Sequence, residues 1–422
     1  MYRYILLGLS ALIFCPAFTQ TGKLSVDSCY AMAKRNYPLL KQYALIEKSR
    51  DYSLENAAKG TLPQLNLAGQ GTYQSEVTRI PISLPNLEIP TLSKDQYKLY
   101  AEVAQPITDL FTVKYQKELI KSNAEVESQK IEVELFKIKE RINQLFFGII
   151  LVDAQVQQTE LLKKDIQLGI DKTNAAIANG TALKSSVNAL KAELLKANQR
   201  IIELKAARKG YLDMLSLFIH QQLDDNVVLE KPAVLSVSSS INRPELRLFS
   251  AQQRTFEVQN KLITARNLPR ASLFLQGGYG KPALNVLNNA FDLYYIGGLR
   301  LNWNLSGYYT AKNERKILSI NQDIIGLQRE TFLFNTNLNL KQQNAELSKL
   351  QELIASDSEI IQLRESIKNT AKNQLDFGTV TSNDYITYLN AEDQAKQGLL
   401  LHQIQLLMAQ YNYQTTVGAG EQ

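Results

Sequence analysis

Few side chains in this chain have the types and spacing that catalysis or metal binding requires. The two histidines, His220 and His402, lie 182 residues apart, each among residues typical of helices, which favours surface or packing roles over metal ligation. Cys29 has no neighbouring histidine in the sequence that would make it a nucleophile. Asp376–Gly378 matches the letters of a kinase motif, but no other kinase motif accompanies it. The sequence therefore predicts no enzyme, no metal site and no cofactor.

The charged residues are spread along the chain and form no basic block. Lysine and arginine number 47 and the acids 41, so the formal net charge is +6. Carboxylates on the helical stretches have lysine neighbours, which is typical of a solvated helix face. Apolar content of 45% and charged content of 21% are near average and indicate a folded chain. Nucleic acid is not an expected partner.

Residues 1–19 have the pattern of a secretory signal peptide. Arg3 precedes the apolar run Tyr4–Phe14, and small residues lead to a cleavage site before Gln20. The run is too short to span a bilayer comfortably. Cys15 would be removed with this segment, which leaves Cys29 as the single cysteine and no internal disulfide. The sequence therefore predicts an exported chain.

The chain contains one structural unit twice. Leu62-Pro63 recurs as Leu268-Pro269, 206 residues later, and Gly180-Thr181 recurs as Gly378-Thr379, 198 residues later. One net deletion of 8 residues reconciles the two offsets. A duplication kept in register over this length indicates two copies of one unit.

Each unit has the same order of predicted elements: a helix, two strands, a very long helix, a tight turn and a returning helix. The first repeat, residues 20–222, is predicted to place its strands and long helices at about 64–76, 96–106, 109–178 and 182–222. A linker follows at 223–241. The second repeat, residues 242–422, is predicted to place them at about 270–280, 292–305, 309–377 and 381–417. A helix of some 65 residues would reach roughly 100 Å, which favours antiparallel coiled-coil packing.

The four predicted strands suit either a membrane β-barrel or a small soluble sheet. The export signal favours the barrel, as do aromatic residues near the strand ends: Tyr73, Tyr97, Phe291, Tyr294, Tyr295, Trp303, Tyr308 and Tyr309. Four strands are too few, because spanning barrels need at least eight and lipid does not tolerate open sheet edges. Oligomerisation is therefore expected, as a trimer of twelve strands or as another ring such as a dimer of eight. The polar strand positions would face the lumen or simply solvent: Lys98, Glu102, Arg300 and Asn302.

Several segments resemble the TolC family of bacterial outer-membrane efflux proteins. They are Leu24–Cys29, Ala33–Pro38, Gln105–Ile107, the two Gly-Thr turns and Tyr388–Glu392. The resemblance covers nearly the whole mature chain, and it depends on the order of the motifs and the duplication more than on any single motif. It implies a mainly α fold with membrane β structure, in which long antiparallel coiled-coil helices accompany four strands of a 12-stranded trimeric β-barrel.

The resemblance also implies a function and partners. The trimer would be a channel-tunnel in the outer membrane of a Gram-negative bacterium, extended into the periplasm by helices. It would be the passive exit duct of a tripartite efflux pump for small molecules, with a periplasmic adaptor protein, an inner-membrane pump and outer-membrane lipid as partners. The alternatives are the duct of a type I protein secretion system and a structural periplasmic coiled-coil protein.

Two groups of residues take roles by resemblance. The helix reversals would dock the adaptor: Asn179, Gly180, Thr181, Phe377, Gly378 and Thr379. Asp384 matches the first of two acidic gate positions of the family, whereas Thr387 stands at the second, so the gate would be less anionic or set differently. The alternative for Asp384 is an acid that stabilises a helix N-terminus.

Overall fold

The computed structural model describes residues 23–78, 91–233 and 240–419. The predicted signal peptide, residues 1–19, lies outside the described residues, as does part of the first strand-connecting loop and of the linker. The chain divides into two compact units. Unit 1 comprises Met1–Asn36, Ile138–Val237 and Ala345–Asn412, and unit 2 comprises Tyr37–Lys137, Ser238–Asn344 and Tyr413–Gln422. Each unit takes residues from both sequence repeats, so the compact units do not coincide with the repeats.

The first repeat contains four α-helices and two strands, whose bounds follow in chain order. They are α1 (Val26–Asn36), α2 (Lys41–Lys59), β1 (Gln64–Tyr73), β2 (Asp95–Pro106), α3 (Leu110–Ala178) and α4 (Lys184–Ile219). A short 3-10 turn at Pro38–Leu40 separates α1 from α2. The break follows from Pro38, because the preceding residue, Tyr37, is held extended at φ −66° and ψ 129°.

The second repeat has the same order with one helix fewer at its start. Its elements are α5 (Pro244–Arg266), β3 (Arg270–Lys281), β4 (Asp292–Asn302), α6 (Gly307–Asp376) and α7 (Ser382–Val417). The two long helices, α3 and α6, have 69 and 70 residues. No helix in the described ranges combines the length and the apolar content that crossing a membrane requires.

Unit 1 is built around a core shared by α3, α4, α6 and α7. Its buried members are Ile166, Ile170, Val187, Leu190, Ala197, Ala371, Tyr385, Ile386 and Leu389. Gly169 allows a close approach, because a Cβ there would lie 3.2 Å from the ring of Tyr385 and 3.3 Å from Leu190. Glycine in this long helix therefore reflects helix packing rather than helix breaking.

Unit 2 contains a four-stranded antiparallel sheet in the order β1-β2-β3-β4. The register places Leu67 opposite Ala101, Ala101 opposite Gly277 and Gly277 opposite Tyr295. Because side chains alternate between the two faces of a strand, this register decides which residues share a face. In the described part of the chain β1 and β4 form the two edges.

The helices of unit 2 are neighbours in the order in which they occur along the chain, as the strands of the sheet are. Tyr43 of α2 donates a hydrogen bond to Glu132 of α3 at 2.6 Å. Ser122 of α3 and Thr255 of α5 are hydrogen-bonded at 2.7 Å. The rings of Phe249 in α5 and Phe332 in α6 lie 6.0 Å apart. These contacts place the helices in the order α2-α3-α5-α6.

Candidate functional site

One face of the sheet is apolar and largely open to solvent. We call it the apolar face, and its large aliphatic members are Leu65, Leu67, Leu99, Val103, Leu273, Leu275, Leu293, Leu299 and Leu301. Their exposed fractions range from 41% for Val103 to 77% for Leu65. At the loop end of this face, the ring of Phe291 stacks on Tyr279 and Tyr97 at centroid distances of 5.4 and 6.3 Å. An exposed apolar patch of this extent marks an interaction surface.

The opposite face, the polar face, carries all four of the predicted lumen residues. Lys98, Glu102, Arg300 and Asn302 lie on it, together with Gln276. Arg300 of β4 reaches over β3 to Glu102 of β2 and makes two hydrogen bonds, at 2.6 and 2.8 Å. The guanidinium lies 4.3 Å from the ring of Phe274 on the strand between them. The structure thus joins two of the four residues and places Lys98 and Asn302 apart from that pair.

Glycines on β3 let side chains of neighbouring strands lie across the polar face. A Cβ added at Gly278 would be 2.7 Å from the Leu99 carbonyl oxygen and 2.9 Å from the ring of Tyr294. A Cβ at Gly280 would be 3.2 Å from the Lys98 side chain. These two positions need glycine because neighbouring backbone and side chains already fill the space.

The two helix reversals have the same geometry. Gly180 and Gly378 adopt φ of 73° and 70°, the left-handed region. The N–H of Gly180 donates to Ile177 and that of Thr181 to Ala176, at 3.0 and 2.9 Å, which is a Schellman motif. The second reversal repeats both bonds one repeat later. In each, the threonine hydroxyl also donates to the carbonyl that its own N–H contacts.

The predicted docking residues lie on the surface of these reversals. Asn179, Thr181 and Thr379 are exposed. Phe377 is 83% exposed, and Leu183, which follows the first reversal, is 73% exposed. Each reversal therefore presents one large exposed apolar side chain in its turn or directly after it.

Asp384 forms part of a capping box at the start of α7. Its carboxylate accepts the Thr381 hydroxyl at 2.6 Å and the Thr381 N–H at 3.3 Å. The Asp384 N–H donates in return to the Thr381 hydroxyl oxygen at 3.2 Å. Both Asp384 and Thr387 are exposed on α7, and the Thr387 hydroxyl donates to the Asn383 carbonyl. The sequence signal for the cap is the acid three residues after a threonine.

A buried charge cluster in unit 1 is absent from the sequence predictions. Lys368 of α6 lies 2.8 Å from Glu392 of α7 and 3.3 Å from Asp165 of α3. Glu392 also binds Lys396 at 2.7 Å. Burial by itself would raise the pKa of Glu392, but hydrogen bonds from both lysines hold that pKa below its ordinary value. Only Glu392 and Lys396, four residues apart, could have signalled it in the sequence.

The two histidines and the cysteine have different surroundings. His220 ends α4 in the left-handed conformation, and the Nδ1 of His402 lies 2.6 Å from the Asp357 carboxylate. Burial raises the pKa of the Cys29 thiol to about 12, so the thiolate is scarce at neutral pH. Within the described residues, no group of three His, Cys, Asp or Glu side chains could hold a metal ion.

The chain matches solved structures of outer-membrane proteins, although no protein-family model and no curated protein matches it. The outer membrane protein VceC of Vibrio cholerae is 14% identical, with a TM-score of 0.65, and the match covers 94% of this chain and 96% of VceC. CusC, described in connection with transmembrane channel formation, is 14% identical with a TM-score of 0.68 and coverages of 94% and 92%.

A third match is to a protein whose structure is described as an open channel. The open MtrE outer membrane channel of Neisseria gonorrhoeae is 12% identical with a TM-score of 0.66, and the match covers 94% of this chain and 89% of MtrE. The mainly helical, duplicated fold with four strands that the sequence predicts is confirmed. The chain therefore has the fold of the outer-membrane channel proteins, as its resemblance to the TolC family predicts.

Proposed function

We propose that the chain is one protomer of a homotrimeric outer-membrane channel and the passive exit duct of a tripartite efflux pump. The observation that carries this proposal is the open apolar face. Nine large aliphatic side chains lie on one side of a four-stranded sheet. A side chain of this size gains about 1.5–3 kcal/mol when it is buried completely, and these nine are already partly buried, so covering their exposed parts would be worth on the order of 10–20 kcal/mol. Lipid around a closed barrel buries this face while leaving the polar face in water.

The order of the elements supports a ring of protomers. In unit 2 the strands follow the order β1-β2-β3-β4 and the helices the order α2-α3-α5-α6. Among the described residues, no further strand pairs with the outer side of β1 or β4, and no further helix follows α2 or α6 in the helix order. The two edges differ, so β4 of one protomer would pair with β1 of the next, and α6 with α2. A contact of this head-to-tail kind forms a ring when its rotation closes. A trimer supplies twelve strands, above the minimum of eight.

Apolar side chains on the two edge helices fit this closure. The outer residues of α6 recur at helical spacing and are each at least 45% exposed: Ile317, Ile320, Ile324, Leu327, Phe334 and Leu338. On α2, Leu45 and Tyr52 are seven residues apart and 65% and 56% exposed. A stripe with this spacing is typical of helices that pack against another helix.

In this proposal the reversals contact the periplasmic adaptor. Phe377 precedes Gly378 in the second Schellman turn, and Leu183 follows the first such turn by two residues; both side chains are exposed. Substitution of either by aspartate is expected to leave conductance of the purified trimer unchanged and to raise the sensitivity of cells to exported compounds. If either aspartate variant exports as well as the wild type, the reversals do not form the contact with the adaptor.

A matched pair of substitutions tests the membrane assignment. Leu67→Lys places a charge on the apolar face of β1, and Asn66→Lys places the same charge on the polar face of that strand, opposite Glu102. A lysine facing lipid near the bilayer centre costs about 2–4 kcal/mol. We expect the first variant alone to lose the outer-membrane trimer, assayed by fractionation and by conductance in planar bilayers. Recovery of the wild type as a soluble periplasmic protein without conductance would favour the structural coiled-coil alternative.

A further inference from the structure

The polar face carries an aromatic ring laid against the sheet. Tyr294 of β4 is half-buried, and its ring lies over Gly278 of β3, where a Cβ would come within 2.9 Å of it. The Gln276 side-chain amide donates a hydrogen bond to the Tyr294 hydroxyl oxygen at 3.3 Å. The glycine beneath and the amide at the tip together hold this ring across the strand, and the residue remains partly exposed.

A second ring on the same face, that of Phe274, has a planar partner within the chain. The Phe274 ring lies beside Gly298, whose added Cβ would be 3.4 Å from it. The planar guanidinium of Arg300 lies 4.3 Å from the centre of that ring. Planar groups stack on aromatic faces, and a cation gains further from the ring quadrupole. Phe274 already has its planar partner, whereas the described side chains place no such group on Tyr294.

The charges of the polar face cancel around this ring. The polar face carries four charged residues from Asp292 to Arg300, namely Lys98, Glu102, Asp292 and Arg300, and Arg300 is paired with Glu102. Arg270, at the end of the sheet away from Asp292, lies 3.6 Å from Asp109. The aliphatic part of Lys98 lies over Gly280, which pairs with Lys98 on one side and with Asp292 on the other. A surface with no net charge around a ring selects its ligand by planarity rather than by the sign of its charge.

We propose that Tyr294 is a stacking site for planar aromatic solutes on the wall of the channel. The inference rests on the proposed channel function, since only there does the polar face line the path of exported molecules. A planar solute lies on the outer surface of the Tyr294 ring, and both cationic and anionic planar solutes bind. Three such sites would face one another in a trimer.

Dye binding to the full-length protein in detergent micelles tests the site. The probes are ethidium, a planar aromatic cation, and fluorescein, a planar aromatic anion, followed by fluorescence anisotropy against protein-free micelles. Tyr294→Leu is expected to weaken both about 3- to 10-fold, and Tyr294→Phe to retain them. Tyr295→Leu is the matched control, because Tyr295 is the next residue, lies on the apolar face and is 79% exposed.

The outcomes separate this site from the channel proposal. Equal affinity in Tyr294→Leu and wild type, an equal loss in Tyr295→Leu, or binding of one dye charge alone overturns the stacking site. If the leucine variant does not assemble, Tyr294→Val gives the same comparison with a residue favoured in strands. A wild-type trimer that conducts ions but binds neither dye would refute the site and leave the channel proposal standing. A wild type without conductance would refute the channel itself.

Discussion

The indole Nε1 of Trp303 donates a hydrogen bond to the carbonyl oxygen of Asn267 at 3.1 Å. The duplicated positions form the same contact, since the Gln105 amide donates to the Thr61 carbonyl at 2.9 Å. Asn267 lies 206 residues after Thr61, and Trp303 lies 198 after Gln105, which are the two offsets of the duplication. Each bond joins a residue at or directly after the end of the second strand of a repeat to the turn that follows the helix before the first strand. The repeats thus keep a hydrogen bond although both residue types have changed.

Removing Trp303 as a donor is expected to have a small effect by itself. The Tyr308 hydroxyl also donates to the Asn267 carbonyl, at 3.1 Å, so that oxygen keeps a partner in either single variant. Trp303→Phe and Tyr308→Phe should each cost about 0.5–1 kcal/mol. The double variant should cost more than their sum, because it leaves the carbonyl without both donors. Thermal unfolding followed by circular dichroism measures this, and strict additivity would show that the two bonds are independent.

Gly307→Ala is expected to destabilise the start of α6. A Cβ added at Gly307 would lie 2.1 Å from the Asn267 side-chain oxygen, and that side chain is held by a hydrogen bond from its amide to the Ile263 carbonyl. Relief of the clash therefore breaks a contact, for a loss of about 1–3 kcal/mol.

Gly326→Ala is the control on the same helix. A Cβ added there meets no atom of the described residues within 4 Å, so alanine should stabilise the helix by about 0.5–1 kcal/mol. Both variants are compared by thermal unfolding, and a loss of stability in Gly326→Ala would indicate that this surface is covered in the proposed trimer.

The elements that the sequence predicts are those with local signals. Gly180 and Gly378 end their helices because a left-handed residue needs no partner elsewhere in the chain. The strands are readable because leucines alternate with polar residues, which also assigns Lys98 and Arg300 to one face. The capping box can also be predicted from the sequence, since Thr381 precedes Asp384 by three residues.

The remaining features depend on how distant segments meet. Arg300 reaches Glu102 only because β3 lies between their strands in a particular register, and no periodicity specifies that register. Lys368 joins two other helices that approach it by tertiary packing. The stacking surface of Tyr294 depends on Gly278 of a neighbouring strand. Sequence patterns give the face of a residue, but its neighbours across strands and helices require the fold.

Lys368→Met is expected to destabilise unit 1 by about 3 kcal/mol, because it leaves a buried carboxylate with one partner fewer. The side chains of Lys368 and Glu392 are 10% and 4% exposed. Lys349→Met is the control, since Lys349 and Glu346 form an exposed pair, at 56% and 45%, worth at most about 1 kcal/mol. If the two variants lose the same amount of stability, the buried cluster does not stabilise the fold more than an exposed ion pair does.

The same cluster predicts a pH dependence. The pKa of Glu392 is depressed in the folded state, so its stabilising contribution is present above the unfolded pKa of about 4.3 and is lost as pH falls through the folded pKa. Burial alone would lower the pKa of Lys368, but Glu392 and Asp165 raise it, so its contribution persists below an unfolded pKa of about 10.4 and is lost at more alkaline pH. The contribution of this cluster to the free energy of unfolding of the wild type should therefore stay constant between about pH 5 and pH 10. As the pH is lowered from 7 to 5, the free energy of unfolding of Lys368→Met should rise more than that of the wild type, because burial then favours protonated Glu392.

Asp384 can be tested for a gate separately from its role as a cap. Asp384→Asn keeps a side-chain oxygen that accepts from Thr381 but removes the charge, whereas Asp384→Ala removes both. As a cap, the carboxylate is worth about 1 kcal/mol, so only the alanine variant should lose thermal stability. As a gate, the charge matters, so both variants should change single-channel conductance and weaken block by multivalent cations. Thr387→Val, one turn further along α7 and also exposed, controls for the surface without altering charge. Unchanged conductance and block in Asp384→Asn would leave Asp384 with the cap alone, because the Thr381 contacts survive that substitution and the charge does not.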